Sequence, residues 1–419
     1  MHLHTAVLIL LVALVSANAA AAEPPPSPAR PNIVVILAHD LGYGDLGCFD
    51  QKRLRTPNLD AMAAEGIRFT QFYAGAPVDA PSRCVLLTGV HGGRAAVRTA
   101  SDKSIAIPRG TPTVGTVLKA AGYKTAWAGT PRDFANATDL GFDVAAPAPA
   151  PDGALAFLRD AHKSPFFLLV ALGAPHAKEE PAQDLGELAK TDWPAAEQAY
   201  AAAIRTLDRD AGRVLTLLKE LGADRNTLVI FTSVNGPQAD GGHDPEFFDS
   251  NWKFRGGKGE IFEGGIRVPM IARWPGVIPA GGQNDRQWYA GDLMATAAEL
   301  AGVKPPDGLD SDSLVAALKG HVEKDQWKRK SPLYWECYEG KTAQAVRFGK
   351  WKAIRSPMIT GEVELYDMSN DFGEKRDYAK RRADLTRHAT NLLNKHHHPD
   401  PNRAPPASPL TPAGQGAPR

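Results

Sequence analysis

The sequence predicts an α/β fold: a mostly parallel central sheet flanked by helices, with a smaller C-terminal antiparallel-sheet subdomain. Three observations carry this. Apolar runs at 33–38 (IVVILA), 166–172 (FFLLVAL) and 228–231 (LVIF) show no polar alternation, as expected of strands buried on both faces of a parallel sheet. Helical stretches lie between them, and strands alternating with helices imply a layered α/β architecture. From Ser331 the rhythm shifts to short strand-like pieces separated by turn signals.

Taken in order, residues 1–22 hold no Lys, Arg, Asp or Glu, and Ala6 to Val15 is an unbroken apolar run of ten. That run is too short to span a bilayer as a helix. It reads as a signal-peptide core with a small-residue cleavage region near Ala20–Ala22, which predicts a secreted or periplasmic protein with no membrane span after removal. Residues 23–30 (EPPPSPAR) are a Pro-rich linker, and 31–330 form the α/β domain. Within it, Thr56-Pro57 opens a helix that presents Leu59, Met62 and Ala63 on one face and closes at Gly66. A longer helix carries Ile204, Leu207, Ala211, Val214, Leu215 and Leu218 at three- and four-residue steps and ends before Gly222.

Residues 331–398 form the C-terminal subdomain. PLYWECYEG, AVRFGKWKAIR and EVELYD supply its strands, and a helix runs to about His396. The tract His396, His397 and His398 reads as an incidental solvated cluster before a disordered Pro/Ala-rich tail at 399–419.

Composition narrows the function. Lys plus Arg is 48 and Asp plus Glu is 47, a net charge of +1 that excludes a general nucleic-acid binder and an acidic disordered chain. Three cysteines in 419 residues exclude a disulfide-scaffolded fold. In open α/β sheets ligands collect at the carboxyl ends of the strands. Here His39-Asp40 follows the first run, Ala174-Pro175-His176 the second and Ser233-Val234-Asn235-Gly236 the third, so His, Asp, His and Asn converge on one region.

The stretch PNIVVILAHDLGYGDLGC, followed by TPNLDAMAAEGIRFTQFYAGAPVDAPSRCVLLTG, GYKTAWAGT, APHAKEE, the long segment from FTSVNGPQ to MIARWPG, and AVRFGKWKAIR with ELYD, resembles the sulfatase family of the alkaline phosphatase superfamily. The similarity runs from about Pro31 to about Tyr378. It implies that fold, and a catalytic pattern in which a cysteine in C-x-P-S-R is oxidised to formylglycine. The hydrated aldehyde then attacks sulfur while a divalent metal, usually calcium, polarises the ester.

Several positions depart from that pattern. The motif reads Asp79-Ala80-Pro81-Ser82-Arg83, and Asp79 has no thiol to oxidise. Cys84 lacks the x-P-x-R context, and Cys48 and Cys337 read as small apolar fillers. The paired acids of the first metal motif are His39-Asp40, and the S-D-N-G of the second is Ser233-Val234-Asn235-Gly236, with Val234 at a ligand position. Calcium takes six to eight oxygens, so its affinity should fall by orders of magnitude. The family's G-K-W-H-x-G reads Gly129-Thr130-Pro131-Arg132-Asp133-Phe134, and Arg132 cannot act as a general acid or base.

By the resemblance, Asp79, Arg83 and His176 take catalytic positions. Arg132, His243 and Lys258 take substrate-binding positions, and His39, Asp40 and Asn235 form a degenerate metal site. Three functions stay open. One is an exported pseudo-sulfatase that binds a sulfated glycan or another anionic ester without turnover, in a basic pocket built from Arg83, Arg132, His176 and Lys258. Another is an active hydrolase of sulfate or phosphate esters whose His39/Asp40/Asp79/Asn235 set suits zinc or manganese better than calcium. The third is a cell-envelope interaction protein.

Overall fold

The computed structural model describes residues 30–100, 106–129, 137–146, 149–176, 185–239, 241–320, 329 and 331–400. The signal-like run, most of the linker and most of the Pro/Ala-rich tail lie outside the described residues. Among the described residues no helix is long and apolar enough to cross a membrane.

The α/β part contains strands β1 (Asn32–His39), β2 (Ile67–Phe69), β3 (Phe72–Tyr73), β4 (Lys124–Ala128), β5 (Val144–Ala146), β6 (Phe166–Pro175), β7 (Thr227–Ser233), β8 (Met270–Arg273), β9 (Gly282–Asn284) and β10 (Trp288–Tyr289). Its helices are α1 (Pro57–Ala64), α2 (Asp79–Thr88), α3 (Val114–Ala120), α4 (Ala150–Ala161), α5 (Ala195–Glu220), α6 (Glu263–Ile266), α7 (Asp292–Ala301) and α8 (Val315–Leu318). The C-terminal part adds β11 (Leu333–Cys337), β12 (Ala343–Phe348), β13 (Trp351–Arg355), β14 (Val363–Asp367) and α9 (Ala383–His396).

The main sheet has eight strands in the order β5-β4-β6-β1-β7-β8-β2-β9. From β5 to β7 the neighbours run parallel, whereas β8 is antiparallel to both β7 and β2. The three apolar runs predicted as strands are the three central ones. Successive residues of β1 feed opposite layers. Ile33, Val35 and Leu37 pack with Val85 and Leu87 of α2, Leu118 of α3 and Met294 of α7. Val34, Ile36 and Ala38 pack with Leu59 of α1, Leu158 of α4 and Ile204 and Leu207 of α5. Both faces of the strand are therefore buried, and its sequence has no polar alternation for that reason. Burying each such side chain contributes roughly 2 kcal/mol.

α1 starts with Pro57 at its first helical position, as predicted. α5 is longer than its periodic core: it begins at Ala195, with Glu197 in its first turn. The C-terminal strands form a four-stranded antiparallel sheet, β11-β12-β13-β14. α9 covers one face, with Ala389 and Leu393 against Tyr334, Val346, Ala353 and Leu365. Trp335, Ala345 and Ile354 belong instead to the core shared with α2 and α7. The fully buried Lys352 binds both parts, 3.0 Å from Glu263 and 2.7 Å from Glu374. The charges of Lys352, Arg347 and Arg267 overcome burial and hold Glu263 down at about 2. The GEIFEGGIRVP segment thus carries a buried ion network that packs the two parts together.

His396 and His397 are partly buried and not solvated, which corrects the sequence reading for them, while His398 is exposed. His396 Nδ1 lies 3.2 Å from His91 Nε2, and His397 Nδ1 lies 2.8 Å from Glu336 Oε1. The backbone carbonyl of His398 accepts from Arg98, and its N–H donates to Gly93 at 3.2 Å. These contacts pin the end of α9 beside the loop after α2, a placement that linear sequence does not reveal.

Candidate active site

Three adjacent parallel strands deliver the site. β6 and β7 flank β1, with His39 in register with Pro175 and Ala38 with Ser233. The residues that leave the sheet here, Asp40, His176 and Asn235, emerge at one carboxyl edge. Asp40 turns the chain at φ 63°, a left-handed conformation that Asp tolerates better than most residues. The Ser233 hydroxyl fixes the two neighbouring turns by accepting from Leu41 N at 3.0 Å and donating to the Asn235 carbonyl at 2.8 Å.

Asp79 is the first residue of α2, where the positive end of the helix dipole favours a carboxylate. His39 Nε2 lies 2.7 Å from its Oδ1. Burial alone would raise the Asp79 carboxyl. The His39 hydrogen bond and the charges of His39, Lys258 and Arg83 prevail and hold it well below the usual carboxylate range. The residue at the family's nucleophile position is therefore an ionised carboxylate with fixed partners.

Lys258 reaches this point from the loop before α6. Its backbone N–H donates to Pro237 O at 2.9 Å, and Gly236 N donates to Gly265 O at 3.0 Å. A side chain at position 236 would strike the Gly264 carbonyl, so the two loops can approach only over a glycine. This contact sets the reach of Lys258. Its Nζ lies 2.8 Å from Asp40 Oδ1 and 2.9 Å from both Asp40 Oδ2 and Asp79 Oδ2. Asn235 Nδ2 donates to Asp40 Oδ1 at 2.8 Å and to Gly236 O at 2.8 Å. The His39 and His176 rings stack at 4.8 Å and 10°, and His176 Nε2 lies 3.7 Å from Asp40 Oδ2.

These residues do not fit calcium. Both oxygens of Asp40 and one of Asp79 face the Lys258 ammonium, and the other Asp79 oxygen faces His39. Asn235 Oδ1 is buried and has no hydrogen-bond partner, one oxygen where calcium takes six to eight. His39, Asp40 and His176 do bring one ligand atom each within 4.8 Å of one another. That set is imidazole-rich, of the kind that suits zinc or manganese.

The remaining predicted residues separate. Arg83 is buried one turn along α2 and contributes its charge to Asp79. Val234 is buried with its side chain in the apolar core, and its carbonyl accepts from Ser82 Oγ. His243 sits in another network. Its Nδ1 lies 2.7 Å from Glu197 Oε2, and its ring stacks 3.6 Å from Tyr200, whose hydroxyl donates to Asp45 at 2.6 Å. Arg132 lies outside the described residues. Cys84 faces the core, and burial pushes its thiol up to about 11, so it is not a reactive thiolate.

A family model described as Sulfatase matches residues 31–303. The chain belongs to the sulfatase family. A second model, N-sulphoglucosamine sulphohydrolase, C-terminal, matches 254–397 of this sulfatase homologue. The rat N-acetylgalactosamine-6-sulfatase is 34% identical over 82% of this chain and 74% of its own length. Human arylsulfatase A is 32% identical over 77% and 74% respectively. A solved complex of the protein Ps i-CgsB with k-i-k-neocarrahexaose superposes with a TM-score of 0.76 at 26% identity, covering 89% of this chain and 94% of that one.

Sequence reasoning missed the surroundings of Lys258. A cleft of about 1140 Å³ opens beside it, lined among others by Trp252, Lys253, Arg255 and Lys375. A second hollow of about 510 Å³ shares Arg255 and Lys258. The signal was available as the alternation of aromatic and cation in Trp252-Lys253-Phe254-Arg255, whose last residue opens the RGGKG motif.

Proposed function

We propose that this sulfatase-family protein is exported and does not hydrolyse sulfate esters, but binds a sulfated glycan in the cleft beside Lys258. One observation carries the reading: the residue in the nucleophile position is a carboxylate already held by His39 and Lys258. Asp79 has no aldehyde hydrate to offer, and its negative charge repels the anionic ester that it would have to attack. The donor set also does not suit a calcium ion that would polarise the ester, since both oxygens of Asp40 face Lys258. Removing groups that act as one catalytic unit costs many orders of magnitude in rate. Binding needs less. The cleft has an aromatic ring at Trp252 and cations at Lys253, Arg255, Lys258 and Lys375 set among the acids Asp244, Glu246, Asp249, Glu260 and Glu374, and its size suits several sugar units. The charge-free apolar run near the amino end supports export.

Isothermal titration with sulfated oligosaccharides tests this. The expected result is saturable heat that returns to baseline, with the ligand recovered intact. No heat with any sulfated oligosaccharide, or a slow continuing heat with release of sulfate, contradicts it.

A second reading is favoured by the grouping of His39, Asp40 and His176 with the unpartnered Asn235 oxygen. It is an altered hydrolase that holds zinc or manganese through those residues, where a bound metal would supply an activated water. Stoichiometric zinc or manganese in the purified protein, lost in His39→Ala together with ester cleavage, would establish it.

A further inference from the structure

The centre of the site is filled by an amino group. We infer that the Lys258 ammonium is the resident cation of this site, standing where the family's divalent ion would compensate the carboxylates, so that the protein needs no metal to hold the centre together.

Three observations converge on this. Lys258 Nζ makes contacts of 2.8, 2.9 and 2.9 Å to Asp40 Oδ1, Asp40 Oδ2 and Asp79 Oδ2. An ammonium has three protons, so these contacts use its donor capacity. The site is also closed at both ends. Asn235 donates to Asp40 on one side, and His39 meets the outer oxygen of Asp79 on the other. The resulting chain Asn235–Asp40–Lys258–Asp79–His39 has a partner for each carboxylate oxygen. Finally, the ammonium is positioned by backbone, not by a flexible arm alone. Lys258 N is fixed to Pro237 O, and the loop carrying it packs over Gly236, two residues after Val234.

The charge balance explains the pattern of exchanges. An acid has been lost at 39 and at 234, and one has been gained at 79. Two carboxylates around one ammonium leave a single negative charge that Arg83 offsets, whereas the full acid set would not be balanced by a single Lys. Buried charges persist only when paired and hydrogen-bonded. On this account the centre binds a divalent ion only when the ammonium is removed, because His39, Asp40, His176 and the Asn235 oxygen then face a space with no cation.

The inference rests on the same residues as the non-hydrolysing reading, but its readout is metal content and stability, so each can fail alone. The full-length chain is purified without chelator, and its metal content and thermal unfolding are measured with EDTA, calcium, zinc and manganese. Wild type should hold no stoichiometric divalent ion, and its midpoint should not move with any of these additions. Lys258→Met should unfold about 5 °C lower in EDTA, the cost of two uncompensated buried carboxylates. It should also gain a saturable rise in midpoint with at least one of the divalent ions. Lys258→Arg, which keeps the charge, should gain no such response. Should Lys258→Met not fold, Lys258→Met with Asp79→Asn removes one charge of each sign and carries the same metal titration. A stoichiometric ion in wild type, a wild-type midpoint lowered by EDTA, or a folded methionine variant that no ion stabilises overturns the inference.

Discussion

His39 Nε2 lies 2.7 Å from Asp79 Oδ1, so two positions that depart from the sulfatase pattern are each other's partner. The acid missing beside Asp40 reappears across the site at the head of α2, and the imidazole that replaced it supplies the hydrogen bond. Either exchange alone would leave a buried polar group poorly matched. Made together they form a charge-assisted pair at 18% and 6% side-chain exposure.

The pair should behave as a unit in a double-mutant cycle. Denaturant unfolding of His39→Ala, Asp79→Ala and the double variant is expected to give a coupling energy of about 1–3 kcal/mol. Additive losses would show that the contact is incidental.

Restoring the cysteine should not restore the enzyme. Asp79→Cys recreates C-A-P-S-R, but leaves His39, Val234 and the Lys258–Asp40 contact in place. No sulfate release from an aryl sulfate is expected, whether or not the cysteine is oxidised. Asp79→Cys combined with His39→Asp and Lys258→Met should acquire calcium affinity, seen as a calcium-dependent rise in unfolding midpoint, and Asp79→Cys with His39→Asp alone should not. A single Asp79→Cys variant that turns over would place the defect in the nucleophile alone.

Ligand binding should depend on Trp252 and on salt. Trp252→Ala is expected to weaken a sulfated oligosaccharide by roughly tenfold, about 1.4 kcal/mol. Affinity should also fall as salt rises, because Lys253 and Lys375 are exposed cations in the lining of the cleft. Isothermal titration at two salt concentrations reads both effects, and unchanged affinity in both would place the ligand elsewhere.

Acid should loosen the end of α9. Burial pushes His91 down to about 4; His396 and Arg94 add to this, while Asp310 and Glu336 oppose it. Burial also lowers His396. The unfolded chain, with histidines near 6.5, binds protons that the fold refuses, so stability falls as pH drops from about 6.5 towards about 4. The His91 share is roughly 2 kcal/mol by pH 5. Unfolding of His91→Gln should lose less stability than wild type over that window, and parallel losses would refute the assignment.

Much of this was legible in the sequence. The runs IVVILA, FFLLVAL and LVIF became the central strands because burial on both faces removes polar alternation, and Pro57 marked the start of α1 by its fixed φ. The convergence of His39, Asp40, His176 and Asn235 followed from strand ends alone. β8, β9 and the short β2 were not resolved, since three- and four-residue strands carry almost no periodic signal. The resemblance gives Lys258 to a ligand but does not reveal that it bridges Asp40 and Asp79, 218 and 179 positions away. His243 was assigned likewise and is held by Glu197. Such pairings are set by loop packing at single glycines such as Gly236, which no local pattern encodes. The histidine tract failed for the opposite reason: polar composition suggested solvent, but its partners His91 and Glu336 are distant in sequence.

The most direct test is the release of inorganic sulfate. Purified wild type and Asp79→Ala are incubated with an aryl sulfate and with sulfated oligosaccharides, with and without calcium, zinc and manganese, and sulfate is quantified by ion chromatography. The account predicts no release above the uncatalysed rate from either protein under any condition. Release by wild type that disappears in Asp79→Ala would contradict it.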